Sequence, residues 1–390
     1  MESNLDPQRP RPRSPPNARL KILYIQPGTS SFAGIERVVH TICSQLAEKH
    51  GDDFDIDVLY TARNTHRPDD RKYNTIDRIA RGRIPVMRAY RSVIKDKPYS
   101  LIVVPQIERT VICMTACLGL RRNFAMHLHG NPKRERNHFK SKILFLIMKM
   151  FFLSRVSSVF GTSRKQLEAF KTMFQSNTPQ SWVPNPVRKF DGTDRLSSGE
   201  SGHVTFINVG RFSYQKGQDI LLNAFNELRK TRSNVKLRLV GYGADEASLQ
   251  DDIRRLQIEN LVSIEHHPDD PQPALSSSDV YISTSRWEGW SLAICEALRF
   301  GLPVISTDCE FGPSEILVDP RLGRLVTSCD VAELTKAMIY YCDNLQSEQS
   351  HADFRRNFID QYSPERVVDI HAEALRAAAK QDHVSKTEQA

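Results

Sequence analysis

DVYISTSRWEGWSLAICEAL, residues 279–298, reads as a strand, a tight turn and a helix. DVYISTS is a short apolar run of β-forming residues, and SLAICEAL carries apolar residues at helical spacing. A strand that feeds a helix across so short a turn belongs to a parallel α/β sheet, where ligands gather at the carboxyl ends of the strands. The link RWEGW lies at such an end. The peptide N–H groups of Trp290, Ser291 and Leu292 fall at the helix start, where they have no intrahelical acceptor. Together with the helix dipole they form a site for a diphosphate. Gly289 lets the chain turn there and lets a ligand approach the backbone closely. Two acids bracket this site, Glu288 at its mouth and Glu296 deeper in the helix.

A second strand-to-helix link, VGRFSYQKGQDIL (209–221), places Arg211 and Lys216 at another strand edge of the same half of the chain. Two cations there can neutralise a diphosphate and stabilise it as a leaving group. Cationic and amide-lined sites on one rim fit a single ligand. Each carboxylate accepts two or more hydrogen bonds, so Glu288 can hold adjacent sugar hydroxyls and Glu296 the two hydroxyls of a ribose. An acid near a helix start plus an ordinary surface glutamate is the plain alternative, and the two cations weigh against it. In the first half, QPGTSSFAGIERVVH (26–40) lacks the dinucleotide fingerprint, because Ser30 stands where the second glycine would be; Gly34 sits directly before the helix. HLHGNPKRER (127–136) ends a strand with His127 and His129 on one face, and His129 becomes a hydrogen-bond partner or proton acceptor if it borders a cleft. No third ligand matches these histidines, so no metal site is expected.

Working outward, near-continuous apolar runs at 21–26, 55–61, 100–106, 124–130 and 156–162 alternate with helical patterns at 34–50, 109–120 and 163–174. The alternation stops at VPNPV (183–187) and a polar Ser/Gly/Asp stretch. It resumes with strands at 203–210, 235–241, 279–285, 302–307 and 323–328, helices at 217–230 and 245–257, and a last helix at 363–381. The expected organisation is a disordered basic arm (1–19), a doubly wound acceptor-side domain (20–187), a linker (188–202), a doubly wound donor domain (203–360), and a terminal helix and tail (361–390). Two such domains facing each other make one central cleft. KSKILFLIMKMFFL (140–153) is apolar around its whole circumference with three lysines, and suits a membrane-surface helix or a buried one.

Composition agrees with a globular protein, 39% hydrophobic and 26% charged, without an apolar run long enough to span a membrane or act as a secretory signal. Seven sparsely spaced cysteines read as free thiols of a reducing compartment. The net charge of +8 is unevenly placed: 33 Lys+Arg against 15 Asp+Glu in residues 1–190, and 21 against 31 in 191–390. A basic first half favours an anionic partner there. Nucleic acid is not expected, because the cations lack interleaved aromatics.

In order and spacing, Glu288 and Glu296, GRFSYQKG, Gly34 before Ile-Glu-Arg, VPNPV and GPSEIL (312–317) resemble the retaining glycosyltransferases of family 4, which have the GT-B architecture. The resemblance runs from Leu20 almost to the end and is strongest over 209–317. It implies that Arg211 and Lys216 hold the donor diphosphate and that Glu288 contacts the donor sugar. It further implies that Glu296 binds the ribose, that Gly34 makes room for phosphates, and that His129 faces the reacting centre. Lys133 and Arg134 would lie on the acceptor side. Such enzymes need neither metal nor cofactor, the nucleotide-sugar being a co-substrate. Three positions depart from the usual pattern: Trp290-Ser291 after Glu-Gly, Ala33-Gly34 for a double glycine, and SIEHHPDD (263–270) without a glycine where the base is met.

The resulting expectation is a hexosyltransferase using a UDP-hexose or UDP-N-acetylhexosamine, with GDP-mannose as a second donor choice. The acceptor is a saccharide, lipid-linked, in surface polysaccharide or lipopolysaccharide biosynthesis. The protein would be cytoplasmic, with peripheral contact to the anionic inner face of the membrane. A nucleotide-sugar epimerase or hydrolase on the same fold, or a non-catalytic interaction protein, stands as the alternative.

Overall fold

The structure is a computed structural model describing residues 19–26, 28–29, 34–64, 67–136, 139–190, 192, 202–267 and 270–381. The expected basic arm (apart from Arg19), most of the 188–202 linker, and the tail lie outside these residues, as does Ala33.

Among the described residues the chain forms two wholly parallel sheets. The first contains β1 Leu20–Ile25, β2 Phe54–Tyr60, β3 Asn74–Asp77, β4 Leu101–Pro105, β5 Phe124–Leu128, β6 Val156–Gly161 and β7 Gln180–Trp182, in the order β3-β2-β1-β4-β5-β6-β7. The second contains β8 Val204–Val209, β9 Val235–Val240, β10 Val262–Glu265, β11 Val280–Ser283, β12 Val304–Thr307 and β13 Gly323–Val326, in the order β10-β9-β8-β11-β12-β13. Each is doubly wound, with its order reversing between β1 and β4 and between β8 and β11. Those reversals open crevices at the carboxyl edge.

Strand residues alternate between two buried faces. Leu23 and Ile25 meet Val111 and Met114 of the helix Ile107–Ala116, whereas Ile22 and Tyr24 meet Val38 and Ile42 of the helix Gly34–Lys49. In the second sheet Phe206 and Ile282 pack with Leu221 and Phe225 on one side. Ile207 and Tyr281 pack with Ile294 and Leu298 on the other. Burial on both faces is why these strands read as continuous apolar runs.

The last helix, Pro364–Ala379, lies on the first sheet's layer. Val368 and Leu375 join the cluster around Ile22 and Val103. Polar ties reinforce it: Lys49 Nζ to Asp369 at 2.7 Å, Arg376 to Asp53 at 2.5 Å, and His371 Nε2 to the Pro184 carbonyl at 3.1 Å.

Several elements carry no sequence expectation. β3 (NTID) and β10 (VSIE) are short, polar strands whose side chains are mostly exposed or half-buried. The helices Arg83–Asp96, Val331–Gln349 and Ala352–Ile359 bury only narrow stripes, such as Tyr90, Val93 and Ile94 in the first. The apolar stretch 140–153 is not buried all round. It forms the helix Phe139–Ile147 and a π turn Met148–Phe152, burying Phe145, Met148 and Phe152 while Phe139, Leu146, Met150 and Phe151 stand in solvent.

Candidate active site in the interdomain cleft

The GRFSYQKG loop follows β8 and the RWEG turn follows β11. These strands are adjacent, so the two motifs meet at the second sheet's switch point. Hydrogen bonds lock them together. Gln215 Nε2 donates to the Trp287 carbonyl at 3.0 Å, the Arg286 N–H to the Gln215 carbonyl at 2.7 Å, and Thr284 Oγ1 to the Lys216 carbonyl at 3.1 Å. Arg286 adds a two-pronged pair with Asp219, at 2.9 and 2.6 Å. Gly217 is required by this bracing. Its φ is +65°, and a Cβ would lie 2.2 Å from the Thr284 carbonyl oxygen.

A cavity of about 530 Å³ opens above this rim, and Arg211, Lys216, Glu288, Trp290, Ser291, Leu292 and Glu296 all border it. From the first domain, Gly34 and His129 border it too. Outside its own helix and chain neighbours, a Cβ at Gly34 would meet no atom of the described residues within 4 Å. The helix Leu292–Arg299 begins here, capped by Ser291, whose hydroxyl accepts from the Ile294 N–H at 3.5 Å. The earlier N–H groups are left for a ligand.

Lys216 Nζ sits 2.5 Å from Glu288 Oε1, which also accepts the Ser285 hydroxyl at 2.7 Å. The cation and the carboxylate expected at different ends of a ligand thus pair with each other. Glu296 accepts from Arg188 Nε at 2.8 Å; burial raises its pKa and Arg188 partly counters this. The Arg211 side chain has no ion-pair partner among the described residues.

Gly289 does not border the cavity. It faces the first domain, where its Cβ position lies 2.2 Å from the His129 carbonyl oxygen. Close by, carboxylates of the second domain hold the first. Glu310 pairs with Lys133 and accepts from Asn131 Nδ2 at 2.8 Å, and Glu315 accepts from the Ser163 hydroxyl and from the Arg164 N–H at 2.7 Å. Glu315 therefore supplies a negative charge to the N-terminus of the helix Arg164–Phe174 from across the cleft. Lys133 is engaged in this contact, and Arg134 lies over the Trp287 ring at 4.8 Å. Neither borders the cavity.

Other bordering groups carry no sequence expectation as site residues. Asn185 of VPNPV is buried with its Oδ1 unpartnered among the described residues. Glu36 and Arg37 follow Gly34, and Arg188 opens the expected linker. His267 and Pro271 border the cavity from the segment expected to meet a base.

His129 stacks on His127 at 3.9 Å, and His371 lies 5.9 Å from His127. Burial, then the neighbouring His371, lowers His129 to about 3; burial lowers His371 to about 4. The three rings are neutral near pH 7, which suits His129 to hydrogen bonding more than to taking a proton. Unfolded histidine titrates near 6.5, so below that pH the unfolded chain binds more protons. The contribution of these rings is complete above about pH 6.5 and is lost as pH falls toward the folded values. Melting temperature should fall between pH 7 and pH 4.5, with a shallower slope in His371→Gln. A flat profile in the parent protein contradicts the neutral assignment.

Two doubly wound domains closing on a cleft form the GT-B architecture. Residues 194–361 match the family model Glycosyl transferases group 1. The chain is 29% identical over 204 residues to an uncharacterized glycosyltransferase of Methanocaldococcus jannaschii, a match covering half of either chain. It is 31% identical over 153 residues to lipopolysaccharide 1,6-galactosyltransferase of Escherichia coli, covering 38% of this chain and 42% of that one. The fold is similar to that of Anabaena HepE, solved with UDP and glucose, at a TM-score of 0.78 and 20% identity, over 92% of this chain and 100% of that one. No group of three or more His, Cys, Asp or Glu among the described residues could hold a metal ion.

Proposed function

We propose that the protein transfers a hexose or N-acetylhexosamine from a UDP-sugar to a saccharide acceptor, with retention and without a metal. The observation that carries this reading is that one cavity gathers Arg211, Lys216, the amides at 290–292, and both glutamates. Arg211, Lys216 and the amides take the diphosphate, Glu296 the ribose and Glu288 the sugar. When the diphosphate arrives, Lys216 exchanges part of its contact with Glu288 for phosphate oxygens, and Glu288 is released toward sugar hydroxyls. The bond from the anomeric carbon to the phosphate oxygen breaks as the acceptor hydroxyl bonds to that carbon on the same face. The hydroxyl proton passes to the departing phosphate. His129 donates a hydrogen bond to the sugar as a neutral ring. The galactosyltransferase relative and the UDP-bound HepE support a uridine donor and a surface-polysaccharide setting.

Thermal-shift titration with UDP, GDP and ADP should give the largest shift with UDP, and NMR of the product should show the donor's anomeric configuration kept. Absence of a shift with all three overturns the reading. Donor turnover at full rate without acceptor points to an epimerase or hydrolase.

Contact with an anionic membrane is part of the same proposal. No helix among the described residues is long and apolar enough to cross a membrane. The exposed face of 139–151 combines Phe139, Ile143, Leu146, Met150 and Phe151 with Lys140, Lys142 and Lys149, a pairing suited to an interface. Sedimentation with vesicles containing anionic lipid, and not with neutral ones, checks it.

A further inference from the structure

A second cavity, about 870 Å³, lies wholly in the first domain at that sheet's own switch point. Its lining comes from the carboxyl ends of four neighbouring strands. Gly28 follows β1, Arg63 follows β2, Arg81 and Arg83 follow β3, and Arg109 follows β4. Among the described residues Glu108 is its single lining carboxylate. None of the four arginines has an ion pair among the described residues. Arg109 interacts with the Tyr90 hydroxyl, and its guanidinium lies 3.6 Å from the Cβ position of Gly28. Thr61, 1% exposed, lines the cavity with its hydroxyl unpartnered. Ile79, Val86 and Ile112 form an apolar wall.

We infer that this cavity binds a phosphate or diphosphate ester, and that this ester belongs to the acceptor. One guanidinium matches one carboxylate. Four guanidiniums against one glutamate leave about three positive charges, which a carboxylate sugar cannot balance and a diphosphate can. Thr61 supplies a hydroxyl for a phosphate oxygen, and the apolar wall receives what the ester is attached to. The volume admits a ligand of disaccharide size or larger. Position makes the ligand an acceptor. Gly28 lines this cavity and Thr29, the next residue, lines the donor cleft, so the two sites meet along one loop. Only the word acceptor rests on the proposed function; the anion site stands on its own geometry.

The test is calorimetric titration of inorganic pyrophosphate into the full chain saturated with UDP, which blocks the donor cleft. The parent should bind, and Arg81→Ala/Arg83→Ala should bind at least about tenfold more weakly. UDP affinity should be unchanged in the variant, which also shows that it folds. Farnesyl diphosphate is the second probe. Tighter binding than pyrophosphate assigns a lipid-linked ester, and equal binding a soluble one. Equal pyrophosphate affinity in parent and variant, or no binding by the parent, overturns the inference. Failure of UDP itself to bind strikes the donor reading instead and leaves the arginine result readable in UDP-free protein.

Discussion

Lys216→Ala should lower kcat by about 10³-fold, because the ammonium group is the best-placed cation for the charge that develops on the departing diphosphate. Its stem lies 3.7 Å from where a Cβ of Gly210 would be, and its Nζ reaches Glu288 at the mouth of the cleft. Removing it does two things. The leaving group loses a cation, and Glu288, 5% exposed, keeps only the Ser285 hydroxyl as a partner among the described residues and turns a bare carboxylate toward the donor phosphates. A charge left without its partner in a buried place costs stability, here about 1–3 kcal/mol given that Lys216 is partly exposed. The double variant Lys216→Ala/Glu288→Gln separates the two effects. It should regain the parent's melting temperature and stay inactive. Steady-state kinetics with a UDP-sugar reads the result, and a kcat within tenfold of the parent for Lys216→Ala removes lysine from the leaving-group role.

That this pair would meet was only half legible in the sequence. The strand–turn–helix pattern around Glu288 and the one around Lys216 can each be read locally, because both strands are apolar and both helices follow at once. Their placement on one rim follows from both lying in the second half of the chain. The direct Lys216–Glu288 contact does not, since it depends on the adjacency of β8 and β11 and on the bracing by Arg286 and Thr284. Arg188 was out of reach for a related reason. It opens a polar stretch that reads as a linker, and its partner Glu296 is far along the chain. The first-domain arginines show the same limit. The sequence displays an excess of positive charge in that half, but Arg63, Arg81, Arg83 and Arg109 follow three different strands and converge only through the order β3-β2-β1-β4. β3 itself is too short and polar to announce a strand. Gly289 reads in the sequence as a place where a ligand nears the backbone, whereas the group that nears it is the first domain's own backbone, which belongs to a different sheet.

Gly289→Ala should therefore reduce turnover by about 10²-fold or more while UDP still binds, because the added methyl group acts on the relation between the domains. The atoms it would strike are the His129 carbonyl oxygen at 2.2 Å, the His129 carbonyl carbon at 2.9 Å and the Gly130 Cα at 3.2 Å. All three are backbone at the end of β5, so no side-chain rotation relieves the overlap, and the two halves must separate or the RWEG turn must shift. A displacement near 1 Å is enough to cost about two orders of magnitude when reacting groups come from both sides of a cleft. The proposed nucleotide contacts lie mostly on the second domain, in Arg211, Lys216, Glu296 and the amides of 290–292, and a rigid separation leaves them in place. Glu315→Ala is the matched comparison. It removes an interdomain hydrogen-bond acceptor for Ser163 and Arg164 without adding bulk, so it loosens the same contact but does not forbid it. Kinetics and small-angle scattering on both variants distinguish the cases. Gly289→Ala should be larger in solution and nearly inactive, and Glu315→Ala nearly unchanged in size and partly active. Equal activity of Gly289→Ala and the parent would mean that transfer does not pass through this closed arrangement, and His129 would then lose its place opposite the donor.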